Sequence, residues 1–341
     1  MENSTTIKTN TLTKKTLKRS TKRVIFYASM VAVPFFLFVF FNIYVNIDAF
    51  AMAFKKFKFI EEVVNGKTVY REDQIFVGFE NFEYIIKECI IGLDTGKVFR
   101  RSILNGFYMY LFRTIITTSM GLLLSYYIYK KYAFASFFRL ILFLPSIISS
   151  VVLALLFKYI VNDVYEGLFS TEAQKVVGFM RPDTPEGPKF AMLLFYNVWT
   201  AFGGGVLVYT STMSGINDSV VESAQLDGVS ALGEFFHITM PMIFPTFTTF
   251  LVTGLAGVLT DGGHLYTFYE QSAGDVVTLG YIIYVQTLFS NMYTSTPPQS
   301  MNVPPMTYPQ LTALGLMITA VTLPLVLGTK KLLEKFGPTA G

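Results

Sequence analysis

The chain has 341 residues, 52% hydrophobic and 16% aromatic but only 15% charged, with a mean hydropathy of +0.47. A soluble domain carries roughly 25% charged residues to face water, so this composition excludes a soluble two-domain enzyme, a disordered chain and a disulfide-stapled scaffold. The single cysteine, Cys89, rules out an intrachain disulfide or a cysteine-based metal cluster. A net charge of +4 does not point to nucleic acid.

A bilayer core asks for about 20 consecutive apolar residues per helix, and six stretches qualify. The chain opens on a tail, 1–23, that holds seven basic residues: Lys8, Lys14, Lys15, Lys18, Arg19, Lys22 and Arg23. The apolar stretch behind it is too long for a signal peptide and has no small-residue cleavage site, so 24–47 reads as an uncleaved first span. The segment 48–101 follows, and its residues 49–101 hold nine basic and eight acidic residues, a balance that says little about topology. Within it, Phe79 to Ile86 has apolar residues at helical spacing and reads as a helix on the membrane surface. Further spans are expected at 103–129, 137–160, 190–212, 241–259 and 311–328.

Lys and Arg in short flanks mark the cytoplasmic side. Lys130, Lys131, Arg139 and the tail lysines Lys330, Lys331 and Lys335 join the N-terminal cluster to give 13 basic residues on one side. The opposite segments, 163–189 and 261–309, hold three and none. The reading is an all-α integral membrane protein with six transmembrane helices and both termini cytoplasmic. Its parts are the 1–23 tail, the first helix, the extracytoplasmic 48–101 segment, a five-helix core over 102–329 and a cytoplasmic tail over 330–341. The plasma membrane of a prokaryote is the expected location, with lipid as surrounding solvent.

The loop at 213–240 falls on the cytoplasmic side yet contains no Lys or Arg and four acids. Asn217, Asp218 or Ser219 can cap a short helix, Gly228 supplies a break where positive φ is cheap, and a second helix over 230–238 runs into Pro241. The product is a helix–turn–helix elbow whose Val220, Val221 and Leu226 call for a groove on a partner.

Here the sequence resembles a known family. ABC importer permeases carry Glu-Ala-Ala-x3-Gly-x9-Ile-x-Leu-Pro in such a loop, and this chain has Glu222-Ser223-Ala224, Gly228, Ile238 and Met240-Pro241 at matching spacing. Ser223 and Met240 are the departures. Val77-Gly-Phe-Glu-Asn-Phe82, Phe138-Arg139 with Phe143-Leu-Pro-Ser-Ile-Ile148, and Leu226-Asp-Gly228 look like the sugar-type members that import maltose, lactose-type sugars and glycerol phosphate. The resemblance implies the transmembrane domain of a type I ABC importer and a transport subunit without catalysis or cofactor of its own. It also implies two ABC ATPase subunits, one of them docked on Glu222, Ser223, Ala224, Gly228, Ile238 and Pro241, a second, different permease, an extracytoplasmic solute-binding protein and a carbohydrate substrate.

Candidates for the substrate path come from the spans. Arg113 lies about ten residues, roughly 15 Å, into the second span, where a charge is expensive unless it is paired or wet. It either meets an anionic group on the substrate or caps carbonyls, contacts a partner or snorkels. Tyr196, Asn197 and Trp199, with Asn105 and Tyr108 on the second span, offer the aromatic faces and amides that carbohydrates bind; ordinary packing is the competing reading. Gly203-Gly-Gly205 suits close helix packing. The proline-rich, uncharged stretch 294–309 reads as an extended outer loop that could touch a binding protein.

Gly92 to Val98 is one residue short of a phosphate loop and ends in Val, so it carries no nucleotide chemistry. Only His237 and His264 are available, and no metal motif is present. The alternative function is an ion-gradient-driven secondary transporter or channel, which would place acids within the spans. None falls in the six cores; Asp48 and Asp261 sit at span ends.

Overall fold

The computed structural model describes residues 23–24, 26–64, 67–171, 176–181, 183–291, 294–296 and 302–338. The basic tail expected at 1–23 lies outside the described residues except for Arg23, as do residues 339–341.

Phe26–Met52 (α1) is helical throughout, and none of its most apolar window is buried by the rest of the chain. Its rings stack on one another instead, Phe36 on Phe40 and Phe40 on Tyr44, with centroids 6.2 and 5.5 Å apart.

The 48–101 segment departs from the helical expectation. Lys55–Val64 (β1) and Lys67–Phe76 (β2) form an antiparallel hairpin in which Lys55 faces Phe76 and Val64 faces Lys67. The cause is legible in retrospect. Lys56-Phe-Lys-Phe59 alternates with period two, and Asn65-Gly66 between the strands is the strongest short-range hairpin signal in a sequence.

The surface helix expected at 79–86 is Glu80–Tyr84 (α2), continued by a wider-turn helical stretch over Ile85–Ile91. Its Ile85 and Cys89 are completely buried in the bundle. Asn81, inside the resemblance motif, explains why an amide stands there. Its Nδ2 donates to the carbonyls of Ala53 and Lys55 at 2.8 and 2.9 Å, tying α2 to the junction of the first helix with the hairpin. Asn81→Leu leaves both acceptors unpaired, at about 1–3 kcal/mol for each group that stays buried. A lower midpoint in detergent thermal unfolding is the expected outcome, with the helical content of the folded state unchanged.

Thr95–Tyr129 (α3) is the long second span. The third expected span is instead two helices, Ala135–Ile147 (α4) and Ser150–Phe169 (α5), bent by 102°. Pro145 removes a backbone donor near the end of α4, and Ile148 and Ser149 then take extended ψ values of 143° and 130°. Glu186–Met213 (α6) crosses α4 closely, since a Cβ on Gly203 would stand 2.9 Å from the Leu142 carbonyl. In lipid, helices associate through small residues and polar contacts more than through the hydrophobic effect. Within the glycine run the close packing is made at Gly203, whereas a Cβ on Gly204 would meet nothing within 4 Å.

Asp218–Leu226 (α7) is the first arm of the elbow and Ala231–Ala256 (α8) the second arm joined to the fifth span. Leu265–Tyr269 (α9), Leu279–Phe289 (α10) and Tyr308–Phe336 (α11) complete the chain. Among the described residues, five helices are long and apolar enough to cross a membrane, six if the bent pair counts as one.

The stretch before α11 is less free than an extended loop. Met306 is fully buried, and the buried Gln286 donates Nε2 to the Pro304 carbonyl at 2.8 Å. Residues 297–301 of that stretch lie outside the described residues.

Two cores result. One gathers Ile85, Phe99, Leu193, Tyr196, Phe268, Tyr281 and Leu314 around the start of α3. The smaller one gathers Leu122, Tyr126, Tyr209, Met213, Val221, Phe235 and Ile243 around its end and the elbow. Along α3, α6 and α8 the residues that line cavities fall between them.

Candidate functional site

The elbow is built by capping and by one glycine. Of the three candidates for the first cap, Asn217 takes the role, its side chain accepting from the Ser219 N–H at 3.1 Å. Ser230 caps the second arm through the Gly233 N–H at 3.2 Å. Between them Gly228 has φ +73°, a value that L side chains avoid.

Pro241 was expected to begin a new helix, yet α8 is continuous through it. A widened turn over Phe235–Thr239 precedes the proline and absorbs its missing donor.

The signature residues divide by exposure. Glu222 and Ser223 are exposed, the Ser223 hydroxyl donating to the Ser219 carbonyl at 2.8 Å. Ala224 is buried, and its carbonyl accepts from the Val229 N–H at 3.1 Å. Ile238 and Pro241 are half-buried. Val221, expected to seek a partner, turns inward into the smaller core. The outward apolar residues are Val220, Leu226, Leu232 and Phe236, with Leu226 89% exposed. This face suits an apolar groove better than water.

The second site is a set of cavities that meet at Arg113. One of about 330 Å³ is walled by Thr114, Thr117, Thr118, Phe202, Tyr209 and Thr253. Another of about 280 Å³ is walled by Ser146, Tyr196, Asn197, Thr200, Asp261 and His264. A crevice of about 20 Å³ joins Tyr110, Asn197, Asp261 and Thr278. Arg113 lines all three.

Arg113 is paired. Its Nη1 lies 3.0 Å from Asp261 Oδ2, while Asp261 Oδ1 accepts from the Gly263 N–H at 2.9 Å. The pair makes an intramembrane arginine tolerable and balances its charge with that of Asp261.

The structure brings together three of the six path candidates. Arg113, Tyr196 and Asn197 share the 280 Å³ cavity. Tyr196 is otherwise a core residue, its ring 4.9 Å from Phe268, 5.1 Å from Phe157 and 5.6 Å from His264. Asn197 spends its Nδ2 on the Leu193 carbonyl at 2.8 Å. The other three point elsewhere. Asn105 donates to the carbonyls of Asp275 and Val277 at 2.8 and 2.9 Å and so holds the turn before α10. Tyr108 is more than half exposed on the outside of α3 and lines none of the three cavities. Trp199 packs on Phe157, 6.1 Å between centroids.

Sequence reasoning did not assign Asp261, His264, Thr200 or the threonines of α3. Thr114, Thr117 and Thr118 did leave a signal, the i, i+3, i+4 spacing of a single helix face.

Three comparisons bear on identity. A family model described as "Binding-protein-dependent transport system inner membrane component" matches residues 117–336, more than half of the chain. A probable ABC transporter permease of Bacillus subtilis, YurN, is 27% identical over 239 residues, 64% of this chain and 79% of that one. The arabinooligosaccharides transport system permease AraP of the same organism is 24% identical over 285 residues, covering 80% of this chain and 84% of its own. A crystal structure of a bacterial ABC transporter involved in import of the acidic polysaccharide alginate matches with a TM-score of 0.67 at 20% identity, covering 94% of this chain and 99% of that one. That likeness bears on the fold. Together with the multi-span helical architecture and the elbow, these findings place the chain in the binding-protein-dependent inner membrane component family, as a multi-pass, non-enzymatic permease subunit of a bacterial ABC importer.

Proposed function

We propose that this chain forms one half of an ATP-driven import path for a carbohydrate, with the α7–α8 elbow as the surface on which an ATPase subunit docks. The observation that carries the reading is the elbow itself. Its signature residues stand at a sharp bend, it presents Val220, Leu226, Leu232 and Phe236 outward, and its second arm is the fifth span. Glu222 borders the docking face, Gly228 makes the bend, and Ser223, Ala224, Ile238 and Pro241 keep the two arms in register. The elbow and the lysine-rich ends of α3 and α11 lie on the cytoplasmic side in this reading, as do both termini, and the hairpin faces outward toward a solute-binding protein. A second permease closes the path.

Relatives named for arabinooligosaccharides and multiple sugars support a carbohydrate substrate. The pairing of Arg113 with Asp261 favours a neutral carbohydrate, because the arginine already has its counter-ion.

The test is uptake of labelled neutral and uronate-containing oligosaccharides by vesicles holding the assembled transporter with its binding protein. Uptake of a neutral sugar that needs ATP and survives an uncoupler is the expected result. Uptake that persists without ATP and collapses with the uncoupler would support an ion-gradient mechanism instead.

A further inference from the structure

The elbow's four acids are not equivalent. Asp218, Glu222 and Asp227 are exposed, whereas the Glu234 side chain is 4% exposed and lies 2.5 Å from the Lys130 Nζ, itself 15% exposed. Lys130 directly follows the last residue of α3, and Glu234 sits in the first turn of α8. Each charge is therefore placed where its own helix dipole favours it, the cation at a C-terminus and the anion at an N-terminus.

Two further contacts join the same turns. Tyr126 Oη donates to the Ala231 carbonyl at 3.0 Å, and the rings of Tyr126 and Phe235 meet edge to face at 5.1 Å. The Lys130 ammonium also lies 5.7 and 5.6 Å from the ring centroids of Tyr126 and Tyr129.

We propose that Lys130 and Glu234 are a positioning pair that makes α3 move with the elbow, so that displacement of the elbow is delivered to the cavity wall of α3 as well as to α8. The physical reason is the cost of separation. Pulling the first turn of α8 away from α3 leaves a carboxylate and an ammonium buried without partners, and breaking a buried pair costs far more than the pair contributes. The lower-energy response is for both helix ends to travel together. Since Arg113, Thr114, Thr117 and Thr118 are on α3, the pair links the elbow to the walls of the 330 Å³ cavity. The proposal rests on the elbow being the ATPase-docking surface.

The test uses the complete transporter in nanodiscs, with a Thr118→Cys reporter on α3 and maleimide labelling measured with and without ATP–vanadate. Native Cys89 is fully buried in the larger core and stays silent. In the parent, nucleotide trapping should change the labelling rate by about fivefold or more, the lower end of ordinary coupling between sites. Glu234→Gln should keep ATPase binding and hydrolysis yet lose most of that change, and the reversed pair K130E/E234K should regain it where Lys130→Glu alone does not.

A full labelling response in Glu234→Gln overturns the proposal. So does a Glu234→Gln protein that inserts but no longer binds the ATPase, since the pair would then serve docking alone, or a well-inserted reversed pair that stays unresponsive. Tyr126→Phe removes one hydroxyl and no charge, and decides the matter if the charge variants fail to insert: a reduced response supports the proposal and an unchanged one ends it. Failure of the parent complex to bind any ATPase would sink the docking reading itself, and this proposal with it.

Discussion

A Gly228→Val protein is expected to insert normally, to bind its ATPase poorly and to lose nearly all ATP-driven import. The position has φ +73°, and a Cβ placed there meets nothing within 4 Å. The harm is therefore conformational and not steric. An L residue in the left-handed region costs roughly 1–2 kcal/mol, and a β-branched one is a genuine outlier there. The chain escapes the cost by letting φ go negative, which swings α7 relative to α8 and turns Leu226 away from the direction of Leu232 and Phe236. Asparagine visits the left-handed region more readily. The expected order of import is thus Gly, Asn, Ala, Val, read as ATP-dependent uptake beside co-purified ATPase. Equal activity across the series would remove the bend from the mechanism.

The second large effect is expected at Asp261. Asp261→Ala strips Arg113 of its counter-ion and leaves the Gly263 N–H without its acceptor. Breaking a buried pair costs about 3–5 kcal/mol. The side chains here are 28% and 46% exposed, so solvent screening brings the cost below that range, to about 1–2 kcal/mol. Arg113→Gln should be milder, because Asp261 keeps the Gly263 N–H. The double variant R113Q/D261N should recover most of the stability lost in Asp261→Asn, with a positive coupling energy in a double-mutant cycle of detergent unfolding. Import should separate from stability: an unpaired Arg113 in Asp261→Asn should admit uronate-containing oligosaccharides better than the parent does. Additive losses across the cycle would show that the two side chains do not act as a pair.

Much of this was readable from residues. The span pattern and the elbow follow from hydropathy, from the distribution of Lys and Arg and from six spaced positions around Gly228, all of them local signals. What stayed hidden depends on direction or on distant partners. A helix rich in apolar and aromatic residues has little amphipathic contrast, so composition could not say that Asn105 faces the turn at 275–277 while Arg113 faces a cavity. Lys130 and Glu234 are 104 residues apart, and each taken alone reads as a solvated surface charge. The bend between α4 and α5 follows Pro145, a residue that suits a helix end or a kink, but the uninterrupted apolar run around it does not say which. The hairpin has its signal in Asn65-Gly66 and in the period-two run at 56–59, both independent of the helical spacing at 79–86.

If the elbow is the docking surface proposed above, the continuity of α8 through Pro241 gives it mechanical advantage. Its 26 residues make a rod of about 39 Å at helical rise, and a tilt of about 10° around the middle would carry each end roughly 3 Å. Five residues past its far end sits Asp261, whose bond to Arg113 is 3.0 Å long. A rocking motion too small to disturb the fold is thus matched in amplitude to the one contact that holds the cavities' only intramembrane arginine, among the described residues, against its partner. A hinge at Pro241 would let that motion die at the membrane boundary.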